Sequence, residues 1–435
     1  MFIHEFELSV RDYVRYASAP RRVLSVLFEL QDYLLFHGTS ANDTAQSLRR
    51  LTNSARLAID TRSLTGLENK INRRMAGWSL NSFEWDRFFP NTAPRIIQKS
   101  IILKKPRPKG EKGVLFVAFE DNWLRLLRYG DLEKLARDYN LVLSPSWSPP
   151  YDLPMLMACR VWPSQFFTIL SNLGDAPILP RICSKIVVVP LLASNWINPA
   201  IFKPDDVGGA KKVYDIAMLA NFAAYKRHRV LFKALRKMRN DIHVVLLGLT
   251  WGGRDAATIK REANYFGVGD RISIGEDLPA KEMIEALQSA KVSVITSLRE
   301  GSCLAIAESL FCDVPVALLE ESRIGSKSMI NRYTGRLLRR RQISEDLEDF
   351  IDNYKDYQPR RWMLENAMDS KSSSQRLNEE IKRWSIGHGE PWTADLLDMH
   401  WRPTPRYMDP RSRSEILDEY SRFSESYNVP IECCL

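Results

Sequence analysis

The chain has 435 residues, 45% of them hydrophobic, and a formal net charge of +9. Length and composition suit two globular domains with sizeable cores. The charge favours anionic partners: nucleotide diphosphates, anionic lipid surfaces or nucleic acid. Six scattered cysteines without a CxxC pair argue against a disulfide framework or a zinc site, and fit a reducing cytoplasm.

The opening MFIHEFELSVRDY carries acidic residues and no apolar core, unlike a signal peptide. The longest apolar run, IVVVPLLA at 186–193, is too short to span a bilayer. ECCL at the end of the chain has Glu432 where a prenylated cysteine would stand. No internal repeat is present.

Residues 1–100 read as mostly helical, with apolar stripes over 21–36 and 42–59. KKPRPKGEKG (104–113) is a basic loop that suits either anionic headgroups or plain solvent. VLFVAFE (114–120) is the first strong strand. A helix over 132–140 and a strand over 141–146 follow, and the alternation runs to KIVVVP (185–190). This predicts a first α/β domain. Two prolines and the following DDVGGAKK mark a domain boundary near 203–212, or equally a plain surface loop.

Beyond it the rhythm is regular. Strands are predicted at 214–220, 243–248 and 271–275, and helices at 226–238, over AATIKREANYFG and at 280–290. The alternation predicts a doubly wound parallel sheet. The stretch KVSVITSLREGSCLAIAESLFCDVPVALLE (291–320) organises this domain as strand, loop, helix, strand. Asp313 and Pro315 end its helix, and Asp tolerates the left-handed cap conformation. Another helix is predicted over ISEDLEDFIDNY. After about 358 the chain is rich in Trp, Pro and Arg, and EILDEYSRF (415–423) reads as a helix with core aromatics. GHG at 387–389 reads as a turn, and no residue cluster has metal-ligand spacing.

The 291–320 loop lies where open α/β sheets bind ligands. Gly301 allows a tight turn. Ser302, Cys303 and Leu304 would open the helix with free N–H groups, an anion site suited to a diphosphate. Glu308 lies roughly 9 Å further along, near the span from a pyrophosphate to a ribose diol. Glu300 stands at the opposite end, placed for a sugar beyond the diphosphate. By spacing alone, two solvated glutamates on an ordinary βαβ unit fit as well.

Glu300-Gly301 followed by Glu308-Ser309-Leu310-x-Cys312-x-x-Pro315-Val316 resembles the signature of the retaining family-4 glycosyltransferases, close to E-G-x6-E-A-L-x-C-G-x-P-V. Asp313 stands where the family usually has Gly. The resemblance extends more weakly from about Lys185 to about Leu338. It implies a GT-B fold: two Rossmann-like doubly wound domains with the active site in the cleft between them. The expected domains are 1–203 on the acceptor side, 204–370 for the nucleotide sugar, and 371–435 as helices crossing back to the first. Pro190, Phe202 and Pro204 match the family's interdomain passage, and Asn195 stands for its asparagine. The glycine-rich N-terminal loop of many members is absent.

In the family, the turn after the first strand of the second domain carries an Arg and, five residues later, a Lys, both on the donor diphosphate. Lys226 fills the Lys position, and Asn221 stands at the Arg position. Arg227 is placed to supply the lost charge. Read alone, Lys226 and Arg227 are exposed helix residues.

The resemblance therefore implies catalytic roles for Glu300 and Lys226. It puts the diphosphate on Lys226, Arg227, Gly301, Ser302, Cys303 and Leu304, the ribose on Glu308 and the donor sugar on Glu300. The implied reaction moves a hexosyl unit from a UDP- or GDP-sugar to a hydroxyl of a saccharide or lipid-linked acceptor, with retention. Neither cofactor nor metal is required. The implied setting is polysaccharide or glycoconjugate synthesis in the cytoplasm, with peripheral contact at the inner face of a membrane. Two rivals are a non-catalytic nucleotide-sugar-binding subunit, favoured by Asn221, and a nucleic-acid binder, for which no recognition motif is found.

Overall fold

The computed structural model describes residues 2–58, 64–146, 150–204 and 211–433. It divides into two compact units, Met1–Leu192 with Ser374–Leu435, and Ala193–Ser373. Residues 205–210, in the predicted interdomain passage, lie outside the described residues, as do the last two of the chain.

The first unit opens with helices α1 (Phe2–Tyr16), α2 (Ser18–Leu35), α3 (Ala41–Ala58) and α4 (Thr65–Ala76), then the short α5 (Trp85–Phe88). Along α3, Ala41, Ala45, Leu48, Leu51, Ala55 and Ala58 recur at helical spacing and are buried. The first strand is β1 (Ile97–Lys104), which precedes the one expected at 114–120. Gln98, Lys99 and Lys104 break up its apolar run, yet from Ser100 onward every residue is buried. It pairs antiparallel with β2 (Gly113–Ala118).

The basic loop is thus the hairpin joining these two strands, and two of its lysines form close ion pairs. Lys104 turns inward to Glu111 at 2.6 Å, while Lys112 reaches Glu390 at 2.7 Å. Gly113 is required here, because a Cβ would stand 2.6 Å from the Lys104 carbonyl.

Helices α6 (Glu120–Tyr129), α7 (Leu132–Asp138), α8 (Leu153–Val161) and α9 (Leu179–Ile182) alternate with β3 (Tyr139–Ser144), β4 (Phe166–Leu170) and β5 (Ile186–Leu192). Strands β2 to β5 run parallel, in chain order.

The second unit alternates β6 (Tyr214–Leu219), α10 (His228–Leu235), β7 (Val244–Gly248), α11 (Ala256–Tyr265), β8 (Ile272–Glu276), α12 (Ala280–Gln288) and β9 (Ala290–Ile295). Then come β10 (Arg299–Glu300), α13 (Leu304–Phe311), β11 (Val316–Leu319), β12 (Arg323–Ile324), β13 (Gly335–Leu338), α14 (Ile343–Asp352) and α15 (Pro359–Glu365). The main sheet has order β13-β11-β9-β6-β7-β8 and is parallel throughout. Each face carries its own apolar core. One centres on Leu231, Leu235 and Phe350, the other on Leu287, Ile306 and Leu310. This is the doubly wound order, reversing direction between β6 and β9.

Helix α16 (Ser370–Gly387) carries the chain back into the first unit. A hairpin of β14 (Met399–Trp401) and β15 (Pro405–Tyr407), helix α17 (Pro410–Ser426) and strand β16 (Ile431–Cys433) complete it. β16 adds to the sheet edge parallel to β1. Tyr420 and Phe423 of α17 are buried, and the Tyr420 hydroxyl accepts from the Ile102 N–H where the β1 ladder is irregular. Among the described residues no helix is long and apolar enough to cross a membrane.

Candidate active site

β6 and β9 are neighbours, with Ile216 opposite Val292 and Ala217 opposite Ser293. The chain leaves them in opposite lateral directions, to β7 on one side and β11 on the other. Such a reversal opens a crevice beyond the carboxyl ends of the two strands. The turn after β6 carries Lys226 and Arg227, and the loop after β9 carries Thr296 to Cys303.

A 3-10 turn at Ala224–Lys226 follows β6. Arg227 takes a left-handed backbone, φ 60°, and α10 begins only at His228, two residues later than the periodicity suggested. Neither Lys226 nor Arg227 is an exposed helix residue: each is 9% exposed. Thr296 holds the turn down. Its hydroxyl donates to the Lys226 carbonyl at 2.6 Å, and its own carbonyl accepts from the Arg227 guanidinium at 3.1 Å. Arg227 thus directs one N–H at the protein backbone.

The Lys226 ammonium lies 2.5 Å from the Glu300 carboxylate, each side chain 11% exposed. Burial alone pushes the Lys226 pKa down, but the charge of Glu300 outweighs it and holds the group above the usual lysine value. Among the described residues, the other carboxylate oxygen of Glu300, Oε1, is buried with no hydrogen-bond partner. The pair brings together two residues 74 apart in sequence. Glu300 is positioned by a short ladder the sequence did not reveal, β10 beside β12, with Glu300 opposite Ile324.

Gly301 does not take a left-handed backbone, so a positive φ is not why glycine stands there. It is buried, and its carbonyl accepts from the Gly325 N–H at 2.8 Å. Helix α13 begins at Leu304 rather than Ser302, with Cys303 as its cap residue and no side-chain cap bond. The first N–H groups of a helix have no carbonyl partner within it, so this end is uncapped by its own sequence. The Ser302 hydroxyl accepts from the Ser194 N–H at 2.7 Å. Cys303 is buried, and burial first, then the charge of Glu300, pushes its thiol up to about 12. It stays protonated at neutral pH and cannot act as a thiolate nucleophile. Glu308 is half-buried on α13.

At its far end α13 closes in a Schellman arrangement. Asp313 has φ 59°, its N–H donates to the Leu310 carbonyl at 3.1 Å, and the Val314 N–H reaches Ser309 at 3.0 Å. The Asp313 carboxylate also accepts from the Arg360 N–H in the first turn of α15, at 3.1 Å.

Three further residues shape the site without a clear signal in the sequence. Thr296 is one; a polar pair directly after an apolar strand was its only signal. His228 is 1% exposed, packs edge-on against Phe222, and has both ring nitrogens unpaired among the described residues. Burial, then the charges of Arg254 and Lys226, lowers its pKa to about 3, so the ring is neutral at pH 7. Arg254 donates to the Phe222 carbonyl at 2.7 Å and forks onto Glu262 at 2.6 and 2.9 Å. A guanidinium therefore does reach the turn after β6, from a different segment. The Asn221 side chain accepts from the Ala223 N–H at 3.3 Å and so shapes the turn.

Residues 202–369 match the family model described as Glycosyl transferases group 1. The match lies within the second unit. Among solved structures, it is similar to the sucrose-phosphate synthase from Thermosynechococcus elongatus, with 12% identity, TM-score 0.51, and 63% of this chain and 74% of that one covered. It is also similar to the Anabaena protein HepE, solved in complex with UDP and glucose, with 12% identity, TM-score 0.50, and coverage of 62% and 78%. At that identity the likeness concerns the fold. No curated protein matches the chain.

Proposed function

We propose that this chain transfers a sugar from a nucleoside diphosphate sugar to a hydroxyl acceptor, with retained anomeric configuration. The observation that carries the reading is the buried Lys226–Glu300 pair beside the uncapped start of α13, at the reversal point of a parallel sheet. A cation and free N–H groups converging on one crevice suit a diphosphate. HepE, of similar fold, was solved with UDP, which makes a uridine nucleotide the first donor to try.

On this reading the diphosphate lies on Lys226 and the amides of Ser302, Cys303 and Leu304, with Gly301 keeping the approach open and Arg227 bracing the turn. Glu308 takes the ribose diol. Glu300 accepts from the donor sugar's hydroxyls through Oε1, the oxygen without a hydrogen-bond partner among the described residues. Charge growing on the departing diphosphate is stabilised by Lys226, which lowers the barrier. The departing diphosphate itself takes the acceptor's proton, so no enzyme nucleophile or metal is needed. A saccharide or lipid-linked acceptor and a role in polysaccharide or glycoconjugate synthesis, on the cytoplasmic side of a membrane, complete the proposal.

Asn221 favours a second reading, a subunit that binds a nucleotide sugar without turning it over. Thermal-shift screening of UDP, GDP and their sugars tests binding, because a ligand of the native state raises its stability. Slow hydrolysis of the stabilising donor without acceptor separates the readings. Binding without hydrolysis or transfer selects the second, and no stabilisation by any nucleotide removes both.

A further inference from the structure

Helix α2 packs in an unusual sense. Its fully buried residues are Arg21, Ser25 and Asp32, at 2%, 0% and 4% exposure. They meet α3 and α4 through polar contacts. The Ser25 hydroxyl bonds Ser54, Arg21 donates to the Arg56 carbonyl at 2.9 Å, and Asp32 faces Arg74 at 3.5 Å. Leu24 and Phe28 are only half-buried beside them. The opposite face carries Val23, Val26, Leu27, Leu30, Tyr33 and Leu34, all exposed, Tyr33 at 81%. These positions recur at three- and four-residue spacing, so the apolar stripe is continuous and points away from the unit's own core.

The preceding α1 extends it. Phe6, Val10, Tyr13 and Val14 recur at the same spacing and are also exposed. The α2 residues leave roughly 700 Å² of apolar side chain uncovered and α1 roughly 400 Å² more, whereas a monomer's largest apolar patch is roughly 300–600 Å². A stable complex needs roughly 800 Å² per partner. The area therefore matches one protein interface.

The charge pattern selects the occupant. Together α1 and α2 hold four arginines, five acidic residues and no lysine. A helix that lies on an anionic membrane carries its lysines and arginines on the polar face and needs that face in water. Here the charges balance, and the polar face of α2 is packed on α3. Aromatic residues and arginine in the absence of lysine are what protein interfaces enrich. Two such helices form one layer, and two layers related by a two-fold axis cover each other fully, as in a four-helix arrangement.

We propose that the α1–α2 face joins two copies of this chain as a symmetric dimer. Sedimentation of the full chain over a wide concentration range should give twice 50.2 kDa, dissociating on dilution. Leu30→Glu and Tyr33→Glu should each weaken self-association by roughly tenfold or more, as charges placed in an apolar interface centre do. Leu417→Glu, at an exposed site on α17, should leave the dimer intact. Flotation with phosphatidylcholine–phosphatidylglycerol vesicles supplies the contrasting arm. A wild-type chain that is monomeric at every concentration overturns the proposal, as does a dimer untouched by both variants. A monomer that floats with vesicles, and ceases to after Leu30→Glu, assigns the face to lipid instead. If circular dichroism shows the glutamate variants unfolded, a nitroxide on Leu34→Cys decides: dipolar coupling between copies supports the dimer, and its absence overturns it.

Discussion

The Lys226 ammonium and the Glu300 carboxylate, carried by the segments that follow two adjacent parallel strands, meet at 2.5 Å. Each is the other's counter-ion. The pair ties the turn after β6 to the loop after β9 across the reversal point of the sheet. On the proposed reading, an anion entering there meets a lysine already charged and held in place by Glu300.

Breaking that pair should cost stability as well as turnover. Removing one partner of a buried ion pair strands the other and costs about 3 kcal/mol. Lys226→Ala should therefore lower the denaturation midpoint. Lys226→Ala with Glu300→Ala should be less destabilised than the sum of the singles, because neither charge is then orphaned. Urea unfolding of the three variants measures this, and strict additivity would show the pair to be energetically idle.

On catalysis, Lys226→Ala should reduce kcat by a larger factor than it weakens donor binding, since leaving-group charge is greatest in the transition state. If Arg227 compensates, the single variant is mild and the double with Arg227→Ala severe. Comparing kcat with the Kd for the nucleotide separates the two quantities. Equal losses in both would remove the transition-state role.

Glu308→Ala should weaken nucleotide binding by about 1.5–3 kcal/mol, the scale of a charged hydrogen-bonding group. The fold should survive, because Glu308 is only half-buried. Calorimetric titration with UDP provides the test; an unchanged affinity in a folded variant would strip Glu308 of its ribose role.

His228 makes a prediction about pH. Its folded pKa, about 3, lies below its unfolded value of 6.5. Between those values the unfolded chain binds a proton that the folded one does not, so stability falls as pH falls. The His228 contribution is intact above about pH 6.5 and lost progressively toward pH 3, on the order of a few kcal/mol in all. His228→Leu should flatten the stability profile between pH 6.5 and 4 relative to wild type. Parallel slopes would mean that another group governs acid sensitivity.

Asp313 stands where the resemblance leads one to expect a glycine. A left-handed residue other than Gly costs about 1 kcal/mol, but the Asp313 carboxylate recovers this by receiving the Arg360 N–H at the start of α15. Asp313→Asn should be nearly neutral. Asp313→Ala should lose about 1–2 kcal/mol, keeping the strain without the bond, and Asp313→Gly should fall between them. Chemical denaturation gives the order; alanine as stable as wild type would show that the carboxylate contributes nothing there.

What the sequence settled by itself was local. The α/β alternation after 214, the strand–loop–helix–strand of 291–320, and helix termination at Asp313 all follow from residue periodicity and backbone preference, which neighbouring residues encode. The start of α13 was read two residues early, because a serine and a cysteine give no sharp boundary. What only tertiary structure decided depends on which strands become neighbours. The sheet order, placing Lys226 against Glu300, comes from pairing β6 with β9 rather than from any local pattern. Burial of Lys226 and Arg227 was invisible, since basic side chains are usually solvated and it takes partners distant in sequence, Glu300 and Thr296 among them, to make their burial tolerable. Strand β1 was missed because its lysines mask a run that is buried nonetheless, one of them neutralised by Glu111. Helix α2 is the sharpest case. Periodicity reported an amphipathic helix correctly, but period alone does not say which face turns inward. Contacts of Arg21, Ser25 and Asp32 with α3 and α4 turned its polar side to the protein and left its apolar side outward.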